Sequence, residues 1–396
     1  MVNKAQSMGK LLVAFAWLPC ALSLGCGETL RLGERPDAGA PIADASDVSP
    51  QPPSSSRPTP PVSLEPLEPI AERGVTDARA AFDGERAMIV WSRPSTTEPL
   101  YEISAARYDA DGTLLDPQPL RLGIGRHFGV APRETGGFLV VWTDAAGEVV
   151  YRNVERDGTL VLPQRVIDAG AAGSDLGLDF VAYRLGFYLV RLRAEGYIEQ
   201  ALAPAADGSL VCRDFCGVRV SAGDGQFVGG VRLAESASGL SVYVARRRAD
   251  GTAAIERRNI HGGAPVELVR AQALADVVAG SQSTLLTWYG DRNRLLGARL
   301  DSATDALLDT EPIELSEVGQ TTSAAVASSA GFAIALSGSQ PQAKLLPEEG
   351  GPATTLLQDI LLSDTLDAVA LGPRRALLVG RGWLDDTLAA TLLSLA

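Results

Sequence analysis

Arginine is the residue type in this chain whose placement most suggests recognition chemistry. Arg246, Arg247 and Arg248 form a run, Arg191 and Arg193 alternate, and Arg93, Arg292 and Arg381 stand singly, the last of them beside Trp383. A guanidinium presents a planar fork that takes a carboxylate or phosphate through two parallel hydrogen bonds, and an indole stacks on a sugar or peptide plane. Such a set would capture an anionic glycan or an acidic envelope protein. The competing reading is ordinary solvated loop charge on an arginine-rich chain, in which Lys344 is the one lysine beyond residue 10.

Bond-breaking chemistry has less to stand on. Asp144, Asp291 and Asp385 could serve a hydrolase that draws carboxylates from several parts of the chain, but nothing separates them from the other acids. No nucleophile elbow, phosphate loop or dinucleotide-binding glycine pattern is present. His127 and His261 stand far apart without Cys, Asp or Glu at metal-ligand spacing. Asp109-Ala110-Asp111-Gly112 has the start of a calcium loop but lacks its later acids, so it reads as a hairpin turn. The expectation is therefore no catalytic set, no metal and no cofactor. A formal net charge of −13 argues against general nucleic-acid binding.

These residues lie on a repeating framework. Gly136-Gly137 leads into Phe138-Leu139-Val140-Val141-Trp142, an apolar run too short for an isolated helix and rich in β-branched and aromatic residues. Bounded by turn signals, it predicts a strand buried on both faces. Similar runs fall at 87–91, 187–190, 240–244, 284–288, 332–336 and 376–379. Seven copies about 41 to 54 residues apart predict an all-β, seven-bladed β-propeller with one four-stranded sheet per copy, six or eight blades being the alternatives. Loops between second and third strands then share one face, which gathers the arginines above. Trp91, Trp142 and Trp288 end equivalent strands and are expected to pack between blades rather than form a ligand cage.

The last copy stops one strand early, while 64–71 reads as a final strand ahead of the first copy. A strand from the amino end should complete the carboxy-terminal blade, with residues near Leu67 beside residues near Leu392, and so remove the exposed edges. Strands ending in Trp followed by Asp-Gly turns resemble the loosely repeated β-propellers of secreted bacterial proteins, without the signatures of WD or kelch repeats.

Residues 1–10 carry two lysines and no acid, and 11–24 is an apolar stretch of 14 residues, short for a membrane span and suited to a signal-peptide core. It ends in Leu22-Ser23-Leu24-Gly25-Cys26, which resembles the lipobox of bacterial lipoproteins. That resemblance implies cleavage after residue 25, lipidation of Cys26 and anchoring in the outer membrane, on the periplasmic or the outward side. The alternative is an ordinary secretory signal cut near Gly25 or Gly27. Cleavage removes Lys4 and Lys10 and no acid, which takes the charge from −13 to about −15. Cys212 and Cys216 then remain as one pair in an exported protein and are expected to form a disulfide, two free thiols being the alternative.

Ten prolines between Pro36 and Pro69 and no apolar periodicity predict a disordered, semi-extended tether. The organisation expected is a signal peptide over 1–25, a lipid-anchored Pro/Ser-rich linker over 26–63 and the propeller over 64–396. The function expected is a non-catalytic binding or scaffold module of the cell envelope, the alternative being a propeller glycoside hydrolase or lyase acting on envelope or external glycans.

Overall fold

The computed structural model describes residues 62–395 apart from 69, 97–98, 169–174, 206–208, 317–322, 338–340, 359, 361 and 383–386. The signal segment, Cys26, most of the tether, Asp207-Gly208, Trp383 and Asp385 lie outside the described residues. Within them the chain is all-β, broken by one turn of 3-10 helix at Asp291–Asn293.

The strands form antiparallel groups of four. The first comprises Asp77–Phe82, Arg86–Pro94, Tyr101–Asp109 and the leading half of Leu120–Pro132; the second takes the trailing half of that strand, then Phe138–Thr143, Val149–Val154 and Leu160–Asp168. The third runs Asp175–Tyr183, Gly186–Arg193, Gly196–Pro204, Leu210–Ser221, and the fourth Gln226–Ser236, Gly239–Arg247, Ala253–Asn259, Val266–Arg270. The fifth runs Ala273–Ala279, Ser283–Tyr289, Leu295–Asp301, Ile313–Glu314, and the sixth Ser323–Ser328, Gly331–Leu336, Gln342–Leu346, Thr354–Gln358. The last has Leu362–Gly372, Arg375–Gly382 and Thr387–Leu395, and its fourth position is shared by Val62–Pro66 and Ile70–Arg73, two short strands from ahead of the first group that both pair with Thr387–Leu395. Glu65 lies opposite Leu392, and Leu67 N–H donates to the Ala390 carbonyl at 3.0 Å.

Each of the apolar runs noted in the sequence is the second strand of its group. Phe138–Thr143 is buried at every position, because both of its faces meet neighbouring groups. The hairpin before it needs left-handed backbone at Gly136 and Gly137, and a Cβ on Gly137 would stand 2.4 Å from the Val154 carbonyl oxygen.

Apolar clusters lie between successive groups. Met88 and Val90 of the first meet Val140 and Trp142 of the second, and Leu139 and Val141 meet Phe180 and Leu189 of the third. Val190 meets Val242, Tyr243 meets Leu286, Leu285 meets Ile334, and Ala335 meets Leu378. Ile89 and Trp91 of the first group then share a cluster with Leu377 and Leu388 of the last. Trp91, Trp142 and Trp288 are buried in these clusters. Trp142 lies against Gly123 and Gly125, where an added Cβ would come within 2.7 and 2.5 Å of its ring.

The strand Leu120–Pro132 is one element that the sequence reading did not identify. Residues 120–125 pair with Tyr101–Asp109 and 126–132 with Phe138–Thr143, so one strand serves two groups. The change of partner is accommodated at His127, which is skipped in the register and has a φ of 41°.

The opposite face carries a repeated ion-pair brace. Arg107 is held by Asp116 through Nε at 2.8 Å and Nη2 at 2.6 Å, and Nη2 also reaches the Asp157 carbonyl of the second group at 3.0 Å. Arg299 likewise pairs with Asp309 and donates to the Pro347 carbonyl of the sixth group at 2.8 Å. The Asp109-Ala110-Asp111-Gly112 segment is a turn, in which Asp109 Oδ1 accepts from the N–H groups of Asp111 and Thr113 at 3.0 and 2.8 Å.

Candidate functional site

The first strands of all the groups line one central cavity of about 450 Å³. Register against the second strands aligns Arg79 with Val90, Gly129 with Val141, Asp179 with Val190 and Arg232 with Tyr243. Asp276, Ala324 and Asp367 stand at the matching places opposite Thr287, Ala335 and Val379. Two arginines and three aspartates at equivalent positions of the first strands therefore line this cavity.

Each of these aspartates ties two adjoining first strands together. Asp179 accepts from its neighbour Phe180 N–H at 3.0 Å and from Leu233 N–H of the next group at 2.6 Å. Asp276 accepts from Val277 at 2.9 Å and Ala325 at 3.1 Å. Asp367 accepts from Ala368 at 2.9 Å and from Ala80 at 2.6 Å, joining the last group to the first. First strands have a free edge, and buried N–H groups on it need acceptors; the carboxylates supply them. Arg232 bridges to Asp276 at 3.3 Å, and Arg79 to Asp77 at 3.1 Å. Burial raises the carboxyl of Asp179 above its ordinary range, and pushes that of Asp367 to about 6 against the pull of Arg79. The carboxylates around Arg79, Asp77 foremost, raise its guanidinium further.

The arginines that the sequence reading offers as ligands stand at the ends of second strands or in the loops that follow them. Most of those arginines have carboxylate partners there. Arg93 meets Glu102 at 2.7 Å and Glu72 at 2.5 Å. Arg191, buried, places Nε 2.8 Å from both oxygens of buried Asp175, and Arg193 reaches the same carboxylate at 3.2 Å. Arg246 lies between Asp224 and Glu256 at 3.0 and 3.2 Å, and Arg248 pairs with Glu267. Arg381 ends its strand opposite Asp364 in the register. Arg247 and Arg292 are exposed and have no carboxylate partner among the described residues. An acid where the chain approaches the first strand thus recurs as the partner of an arginine at the end of the second strand.

Asp175 is a hub of this face. Besides the two arginines, it receives the Thr143 hydroxyl at 3.3 Å, and its carbonyl accepts from His127 Nε2 at 2.9 Å. Burial holds the His127 ring below its ordinary pKa. His261 belongs to the far side, near Tyr183 at 3.1 Å.

The sequence reading missed the charged residues lining the cavity and the role of His127. The charged residues share a signature, a charge between apolar residues eight or nine positions before the start of five of the seven apolar runs, as in Leu178-Asp179-Phe180 and Ala275-Asp276-Val277. Among the described residues, no group of three or more His, Cys, Asp or Glu side chains is placed to hold a metal ion.

No protein-family model and no curated protein matches the sequence. Solved structures do match in shape. U3-55K aligns over 84% of this chain and 98% of its own at 12% identity with a TM-score of 0.55. Saccharomyces cerevisiae Sqt1 aligns over 83% and 98% at 10% identity and 0.52. The periplasmic gluconolactonase PpgL of Pseudomonas aeruginosa aligns over 71% and 85% at 16% identity and 0.51. At such identities the likeness is one of fold.

Proposed function

We propose that the chain is a seven-bladed β-propeller closed by its amino-terminal strand, and that it is a lipid-anchored, non-catalytic binding or scaffold module of the cell envelope. Support for the ring comes from the shared central cavity, from clusters linking each group to the next and the last to the first, and from the ladder between 62–66 and 391–395. The anchor reading rests on the lipobox-like sequence ending at Cys26. A lipidated Cys26 would leave the domain on a tether able to reach on the order of 100 Å at ~3.1 Å per residue.

The observation that carries the non-catalytic reading is the use of the lumen carboxylates. Asp179, Asp276 and Asp367 are each committed to backbone N–H groups of two strands. A carboxylate so engaged serves packing rather than proton transfer. The glycoside hydrolase or lyase alternative needs a pair of free carboxylates about 5 to 10 Å apart at the mouth.

Cys212 and Cys216 face Leu202 and Gln200 across a bulge in Leu210–Ser221, so the ladder steps two residues on one strand and four on the other. A disulfide between them would fix that bulge. Peptide mapping without reduction reads it directly, and separate unlinked peptides would dismiss it. For the whole reading, the test is mass spectrometry of the mature amino terminus together with a glycan array run for both capture and turnover. A diacylated or triacylated Cys26 and capture without cleavage are expected. An unmodified terminus removes the anchor, and released sugar removes the non-catalytic assignment.

A further inference from the structure

A groove of about 750 Å³ opens on the arginine-bearing side where the first and second groups meet. A smaller hollow of about 140 Å³ adjoins it toward the third group, and Arg126 and His127 line both. The volume of the larger groove falls within the ~300–1,000 Å³ typical of small-molecule sites.

Its wall is unusual at His127. Arg126 pairs with Thr143 and Phe128 with Trp142, so His127 is left over in a bulge, and its backbone takes the left-handed form at 41°. A non-glycine residue there costs on the order of 1 kcal/mol or more and persists where the surroundings require it. A carbonyl oxygen can only accept, so the 2.9 Å contact with Asp175 fixes the ring proton on Nε2 and leaves Nδ1 an acceptor. Arg126 is exposed and has no carboxylate partner among the described residues. Asp77, part exposed, gives Oδ1 to Arg79 at 3.1 Å. Pro94, Leu100 and Tyr101 complete the wall with apolar and aromatic surface.

We propose that this groove binds a sugar acid, its carboxylate on the Arg126 guanidinium, its hydroxyls donating to His127 Nδ1 and Asp77, and its apolar ring face against Leu100 and Tyr101. The inference rests on the binding-module reading and gives that module its ligand class. A neutral sugar would leave the Arg126 charge unanswered. Phosphate would satisfy Arg126 but has no apolar face, and its charge opposes Asp77. One cation beside two acceptors and a flat apolar wall fits a single acid on a polyhydroxylated ring.

The test is isothermal titration of the intact protein with D-glucuronate, D-glucose and inorganic phosphate as probes. Glucuronate is expected to bind tighter than about 1 mM and at least about tenfold better than either comparison. Arg126→Ala should weaken glucuronate about tenfold or more and leave glucose unchanged, since it removes a charge-assisted contact from an exposed side chain. His127→Asn tolerates left-handed backbone and should weaken both sugars. Arg270→Ala, which removes an exposed cation from an outer strand, should change nothing. Absent glucuronate binding, a preference for phosphate, or equal affinity in Arg126→Ala overturns the proposal. If the wild type and Arg126→Ala capture the same other glycans on an array, this groove is dismissed while the binding-module reading stands. Turnover of a glycan dismisses that reading itself.

Discussion

Replacing Asp367 with asparagine should change how stability depends on pH. Burial raises this carboxyl from 3.8 to about 6 in the folded chain. A group whose folded pKa lies above its unfolded value favours the folded state while protonated and costs stability once ionised. The cost is nil below about pH 4, grows to about pH 6 and is constant above. A gap of roughly two units at ~1.36 kcal/mol each sets a ceiling near 3 kcal/mol; water in the lumen lowers it, and ~1–3 kcal/mol is the working range. In Asp367→Asn the side-chain carbonyl still accepts the Ala80 N–H, while the amide nitrogen forfeits the bond from Ala368, worth about 1 kcal/mol. Relative to the variant, the wild type should therefore lose ~1–3 kcal/mol between pH 4 and pH 7. Below pH 4 the wild type should be the more stable of the two. Urea unfolding of both proteins at pH 4, 5, 6 and 7 measures it. A difference that stays constant, or that grows in favour of the wild type as pH rises, refutes the assignment of a raised Asp367.

Three further outcomes follow from the packing. Arg107→Ala leaves Asp116, 8% exposed, without its cation and should destabilise by about 3–5 kcal/mol, read by denaturant midpoint, with Arg299→Ala costing a similar amount through the same brace. Gly125→Ala puts a Cβ 2.3 Å from the Thr143 carbonyl oxygen and 2.5 Å from Trp142 Cδ1; a loss of ~2 kcal/mol or more with altered tryptophan emission is expected, and wild-type stability would contradict the packing. Arg247→Ala and Arg292→Ala touch exposed side chains and should stay within about 0.5 kcal/mol of the wild type by thermal unfolding.

The repeated apolar runs were legible because a second strand buried on both faces is mostly apolar, and Phe138–Thr143 and its counterparts follow that rule with small polar exceptions such as Ser241, Thr284 and Thr287. The pairing of the amino-terminal strand was also legible, from the likeness of 64–71 to the final strands elsewhere. The first strands were not. Their lumen side is partly solvated, so it accepts Arg79, Gly129, Asp179 or Ala324 at the same place, and no single residue type marks it. Nor does sequence show that Asp175 stands beside Arg191, because that contact depends on where the chain crosses between groups. The run of arginines therefore looked freer than it is. His127 was weighed only as a metal ligand and Arg126 was not singled out, because nothing in the sequence marks Leu120–Pro132 as one strand shared by two groups.

The ladder joining Val62–Pro66 to Thr387–Leu395 has a consequence for how the chain is made. Val62 and its partner Leu395 lie 333 positions apart, so the earlier segment finds its mate only after the intervening groups have been synthesised. Closing so long a loop adds only a slowly growing entropic cost, but it cannot happen before residues 391–395 have been made. Until then the final sheet has an open side along Thr387–Leu395, whose unpaired N–H and C=O groups are a template for any other extended segment.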